Sequence, residues 1–173
     1  MIKFFFLILI FSMIIPSQQE KIKLAIKSLK NAVYYVGLSD EPIKLKDGSF
    51  LLVEEDKNGM ANCLKVDLLD DKIAMGDVDG DGDEDAVVVL VSSGCGSGAF
   101  HELVVMSNDK GKPKYLTGHM LGDRIIVNFI KILPDRSILI DMVVHGPNDG
   151  MCCPTVPKVG IYRVVGKKIE VVN

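Results

Sequence analysis

The spacing of apolar residues changes once along the chain, and the change divides it into two unequal parts. Residues 19–33, QEKIKLAIKSLKNAV, place Ile22, Ala25, Ile26, Leu29, Ala32 and Val33 three or four apart with lysines opposite. That spacing predicts a short amphipathic helix packed on the domain. Beyond it the period falls to two. IKLKDGSFLLV alternates Ile43 and Leu45 with lysines, and Asp47-Gly48 supplies a positive-φ hairpin turn. LKVDL alternates again, whereas AVVVLVSS is continuously apolar and rich in valine. The latter reads as a central strand buried on both faces. FHELVVMS, PKYLTGHML, RIIVNFIKIL, SILIDMVV, GIYRVV and KKIEVV continue the series, with turns at Pro134-Asp135 and Gly166. The expected fold is mainly β, an antiparallel sandwich or open barrel of about ten short strands with one N-terminal helix.

The first residues follow neither pattern. Lys3 precedes an apolar run from Phe4 to Ile15, followed by Pro16 and Ser17. The run is too short to cross a hydrocarbon core of about 30 Å, so residues 1–17 are expected to be a secretory signal and residues 18–173 one β-rich domain. An uncleaved anchor is the alternative. Without a membrane span in the mature chain, the destination is the periplasm or the extracellular space, with partners to be sought there.

Composition narrows this only slightly. Among 173 residues, 20 basic side chains face 23 acidic ones, which gives no basic footprint for nucleic acid. Tryptophan is absent and aromatics are 6%, which argues against a stacking platform. Export implies an oxidising compartment, where Cys63, Cys95, Cys152 and Cys153 read as disulfide partners rather than thiols. Spacing leaves their three pairings open.

The densest chemistry is GDVDGDGDED, residues 76–85, six of them acidic and three glycine. Asp77, Asp79, Asp81 and Asp85 form D-x-D-x-D-G-x-x-D with Gly82 at the sixth position. Ca²⁺ takes six to eight oxygens at about 2.3–2.6 Å from a tightly curled chain. The first, third, fifth and ninth positions can each offer a carboxylate, Asp83 its backbone carbonyl, and Gly82 the turn. Magnesium is disfavoured because it resists giving up its octahedral waters. An EF-hand needs a bidentate glutamate at the twelfth position, where this chain has Val88, and helices on both sides. The loop instead resembles the calcium loops of FG-GAP repeats, although a propeller would need several copies and this chain has one.

Other constellations are weaker. HGPNDGMCCP gathers His145, Asp149, Cys152 and Cys153, but adjacent cysteines do not easily both face one tetrahedral metal. GCGSG lacks both the Gly-Lys-Ser/Thr of a phosphate loop and the frame of a nucleophile elbow, and reads as a glycine-rich hairpin. His101 and His119 fall in strands and are expected to be hydrogen-bonded, and Asp123-Arg124 to be an ion-paired turn. No catalytic residue is assigned. The leading expectation is an exported, non-catalytic domain holding one structural Ca²⁺ through Asp77, Asp79, Asp81, Asp83 and Asp85. The alternatives are an envelope hydrolase using His145 and Asp149, and a calcium-dependent adhesion module.

In that order, LKNAVY, GDVDGDGDEDAVVVL, GSGAFHEL, LGDR and HGPNDGMCCPT resemble motifs of a group of exported bacterial proteins of unassigned function. The resemblance runs from about Leu29 to Thr155 and implies an envelope or secreted β-rich domain without implying an activity. Cys63 and Cys95 depart from the group's pattern and suggest an extra bridge, which would leave Cys152 and Cys153 to each other.

Overall fold

In the computed structural model, residues 23–55 and 61–172 are described; the expected signal segment lies outside them. The predicted helix shrinks to a single turn, α1 (Ile26–Leu29). Leu29 and Ala32 are buried as expected, but Ala25, Ile26 and Val33 are exposed, and burial continues through Tyr34 and Val36 at a period of two. Ile22, also assigned to that face, lies outside the described residues. Past the helix, Asn31 folds back on it and a hairpin takes the next carbonyl. Gly48 donates its N–H to Lys30 O at 2.8 Å, and the Asn31 amide donates to Lys27 O at 2.9 Å. Asn31 Oδ1 also accepts the N–H of Asp47. Asp47 (φ 52°) and Gly48 (φ 92°) both have positive φ, as the predicted turn requires.

The extended segment after α1 forms a two-stranded ladder, β1 (Val33–Tyr34) with β2 (Ile43–Lys44). Five antiparallel strands follow in spatial order: β3 (Ser49–Glu55), β4 (Ala61–Gly76), β5 (Asp85–Ser93), β6 (Phe100–Asp109) and β7 (Lys112–Asp123). Four more, β8 (Ile126–Ile132), β9 (Ile138–Val144), β10 (Val156–Val165) and β11 (Lys168–Val172), make a second antiparallel sheet, also in sequence order.

The protein is a two-sheet β sandwich with a third, thin layer over it. One core cluster joins Val87, Val89, Leu103 and Val105 of the five-stranded sheet to Val127, Ile138, Ile140, Met142 and Tyr162 of the four-stranded sheet. A second lies on the opposite face, where Val66, Ala86, Val88, Leu90, Val104 and Met106 meet Leu24, Leu29, Tyr34, Val36, Ile43 and Leu45 of the N-terminal layer. Strand β5 sits between the two clusters, so its odd and even residues are both buried, which explains the unbroken valine run. Burying one such side chain contributes about 1.5–3 kcal/mol.

Strand β4 changes register between Leu68 and Ile73, and the polar LDDK segment bulges out there. Lys30 reaches Asp70 at 2.7 Å, tying the thin layer to the bulge. On the same side, buried Glu102 of β6 accepts the N–H of Gly37 through both carboxylate oxygens, at 3.0 and 3.1 Å. Burial pushes its carboxyl above the usual range, against the pull of these bonds and of Ser92.

Candidate metal centre

Gly76 and Asp85 face each other as the last paired residues of β4 and β5, so the acidic segment closes a hairpin. Its geometry follows from short-range bonds that Asp residues make with the chain just ahead of them. Asp77 Oδ1 accepts the N–H of Gly80 at 2.7 Å, Asp79 Oδ1 that of Asp81 at 3.1 Å, and Asp81 Oδ1 that of Asp83 at 2.8 Å. Gly80 and Gly82, both at φ 90°, let the chain curl through conformations that a side chain would resist. Val78, the single apolar residue of the loop, is 3% exposed and plugs into the core between the sheets.

The result is a convergence. Asp77, Asp79, Asp81 and Asp85 each place a carboxylate oxygen within 4.8 Å of the others. Opposite oxygens around one Ca²⁺ lie about 5 Å apart at most, so the four can share one ion. A carboxylate has roughly four acceptor sites, so one N–H bond leaves room for a cation. The Asp83 side chain is not among the four. Glu84 is half-buried, lies 3.7 Å from Lys23, and gives its carbonyl to the Asn108 amide at 3.1 Å. Val88, at the twelfth position, is fully buried in β5.

Asp85 differs from its neighbours. It is fully buried, and its two oxygens accept the N–H groups of Val78 at 3.1 Å and Asn108 at 3.0 Å. Burial raises its carboxyl above the usual range; the two N–H bonds oppose this, and the charges of Asp79 and Asp81 add to it. Two residues of this surround carry no signal in the sequence. Asn108 closes the site from β6, 23 positions away, and its side-chain oxygen accepts the N–H of Gly111 at 2.7 Å. Arg136, in the turn between β8 and β9, lies so close over the loop that a Cβ on Gly80 would sit 1.8 Å from its Nη1. A groove of about 650 Å³ runs alongside, between Asp77 and Arg136.

The second predicted constellation folds into a loop of its own. Asp149 accepts the N–H of Gly146 at 2.7 Å, the N–H of Thr155 at 2.8 Å and the Thr155 hydroxyl at 2.8 Å. The Gly146 N–H first, then the Thr155 hydroxyl, hold its carboxyl below the usual range against a small desolvation effect. Its oxygens are thus engaged in the loop, and half-buried His145 stands at the loop's root. Cys152 and Cys153 pair with each other, and Cys63 of β4 pairs with Cys95, in the turn after β5. A bridge spanning 32 residues stabilises by roughly 3–4 kcal/mol through the unfolded chain.

His101 Nδ1 lies 3.0 Å from Ala99 O, as its expected hydrogen bond requires, whereas His119 packs against Tyr162 with the rings tilted by 57° and 5.3 Å between centroids. Asp123 pairs with Arg124 and accepts the N–H of Ala99 at 2.9 Å. Among the described residues, no helix is long and apolar enough to cross a membrane. The chain matches no protein-family model, no curated protein and no solved structure with which it was compared.

Proposed function

We propose that this is an exported, non-catalytic protein whose acidic hairpin binds one calcium ion, and that the ion serves the fold. The observation that carries the reading is the convergence of four carboxylates on one point, one of them buried and fixed by two backbone N–H groups. Unbalanced, such charges repel by about 1 kcal/mol per pair at 4 Å even in water, and by more where Asp85 is buried. Asp77, Asp79, Asp81 and Asp85 would hold the ion through carboxylates and Asp83 through its backbone carbonyl. The ion would supply the missing positive charge.

The loop's position favours a structural role over signalling. Its plug, Val78, and its last ligand, Asp85, are both fixed in the sandwich, and the twelfth position offers no carboxylate that could close on the ion. The hydrolase alternative gains no support, because Asp149 is engaged by Gly146 and Thr155. Export is supported by the apolar leader, by the Cys63–Cys95 bridge and by the motif resemblance.

The test is calcium titration of the metal-stripped protein, followed by calorimetry and thermal melting, with magnesium in a parallel arm. At one hundred times the dissociation constant, calcium should add about 2.7 kcal/mol of stability. Asp79→Ala should abolish most of that gain. If calcium leaves the melting curves of both proteins unmoved, the reading fails. An equal gain with magnesium at the same concentration would overturn the choice of ion.

A further inference from the structure

The two disulfides do different physical work. Cys63–Cys95 joins residues 32 positions apart, whereas Cys152–Cys153 joins neighbours whose Cα atoms are 3.8 Å apart. A cross-link stabilises by restricting the unfolded chain, and its effect grows with the number of residues it encloses. The vicinal bridge encloses none. Nor does it frame its own loop, since Asp149 already ties Gly146 to Thr155 through three hydrogen bonds. At the tip, Cys153 donates its N–H to Gly150 O at 3.0 Å, a backbone bond that does not involve sulfur.

The bridge is also accessible. Cys152, Cys153 and Met151 are all exposed, with Met151 at 64%. Arg124, ion-paired with Asp123, touches Met151 Sδ with its guanidinium at 3.9 Å beside the bridge. Cysteine reacts and leaves as thiolate. Exposed disulfides are the more labile ones; Cys95 is exposed too and Cys63 half-buried, so what sets the vicinal bridge apart is that both its cysteines are exposed and it encloses no chain.

We propose that Cys152–Cys153 is a thiol–disulfide exchange site that accepts two electrons from a dithiol partner. One partner thiolate attacks Sγ of Cys152 or Cys153. A mixed disulfide forms, the Cys152–Cys153 bond breaks, and the neighbouring cysteine leaves as thiolate. The partner's second thiol, deprotonated, attacks its own sulfur in the mixed disulfide and expels the remaining cysteine. The partner ends as a disulfide, the chain ends with two thiols once the thiolates take up protons, and two electrons have moved. A monothiol is a poor donor here. The freed cysteine sits one residue from the mixed disulfide and displaces the monothiol before a second molecule arrives. The site is independent of the acidic hairpin and of any ion bound there.

The experiment is timed reduction of the folded, full-length protein by dithiothreitol, with alkylation and peptide mass analysis at each time. Glutathione at matched thiol concentration forms a second arm. Cys152 and Cys153 should be labelled at least tenfold faster than Cys63 and Cys95, in protein whose melting temperature has not moved. Glutathione should leave them oxidised. Cys152→Ser/Cys153→Ser should fold and melt like the parent, and Cys63→Ser/Cys95→Ser should retain the fast-reacting pair if it folds. Equal labelling rates would overturn the proposal. So would unfolding on reduction of the vicinal pair, or failure of Cys152→Ser/Cys153→Ser to fold, since either makes the bond structural. Equal reduction by glutathione would overturn the assignment of a dithiol donor.

Discussion

The hairpin before β5 and the loop before β10 are closed by the same device under opposite conditions. In each, one aspartate accepts two backbone N–H groups: Asp85 from Val78 within the hairpin and from Asn108 of β6, Asp149 from Gly146 and Thr155 on either side of its bend. Asp85 is fully buried and its proton affinity is raised; Asp149 is more accessible and its proton affinity is lowered. Similar bonds therefore do not give similar electrostatics. Asp149 has its bonds from Gly146 and Thr155 with little desolvation to oppose them, whereas Asp85 has exchanged water for two N–H groups and two like-charged neighbours. The first loop sets four converging carboxylates against the guanidinium of Arg136, and the second holds no such cluster.

The harshest test of that contrast is truncation of the buried member. Asp85→Ala strands two backbone donors at about 1–3 kcal/mol each, so a loss of about 2–6 kcal/mol is expected in urea denaturation. Asp149→Ala should lose clearly less, because water can replace the carboxylate; equal losses would break the comparison. Calcium comes next. The gain of about 2.7 kcal/mol at one hundred times the dissociation constant should survive Asp149→Ala intact and disappear in Asp85→Ala, as read by melting with and without calcium.

A smaller difference separates the glycines. Gly80→Ala meets both a φ of 90° and the Arg136 guanidinium, and should cost about 1–2 kcal/mol. Gly150→Ala in the second loop meets only Cys152 Sγ at 3.8 Å and should cost under about 0.5 kcal/mol. Thermal melting of the two variants decides it.

The subtlest separation is in pH. Folded Asp85 holds its proton more tightly than the unfolded chain does. In metal-free protein its contribution is therefore most favourable below the ordinary value of 3.8 and is lost as pH rises through its raised folded value. Asp149 has the opposite sign: its contribution is present above 3.8 and is lost as pH falls through its lowered folded value. Difference curves of urea midpoint against pH for Asp85→Asn and Asp149→Asn should slope in opposite directions. Parallel curves would remove the distinction.

Much of this architecture is legible in local patterning. The strands, the Asp47-Gly48 turn and the doubly buried β5 follow from alternation, glycine placement and an unbroken valine run. The carboxylate spacing of the acidic hairpin likewise anticipates which four side chains meet. What local pattern misreads is the N-terminal layer. Its early residues keep helical spacing, but the helix stops after one turn, where Asn31 folds back on the Lys27 carbonyl and is itself held by Asp47, and Gly48 of the hairpin takes the Lys30 carbonyl. Asn108, Arg136 and Glu102 are equally invisible, because their partners lie many positions away and no periodicity marks them. Long-range capture of a polar group leaves no trace in the spacing around it.

Within each sheet every strand pairs with the next one along the chain, from β3 to β7 and again from β8 to β11. Each ladder can therefore zip by adding one hairpin at a time, with short loops to close and no strand waiting for a distant mate. Loop-closure entropy is paid in small instalments, which favours rapid assembly over the slow search typical of interleaved β topologies. The acidic hairpin joins the two strands at the heart of the first ladder. Its charge would thus bear on how fast the sandwich forms as well as on how long it lasts, and refolding and unfolding rates of metal-free and calcium-loaded protein would report the two effects separately.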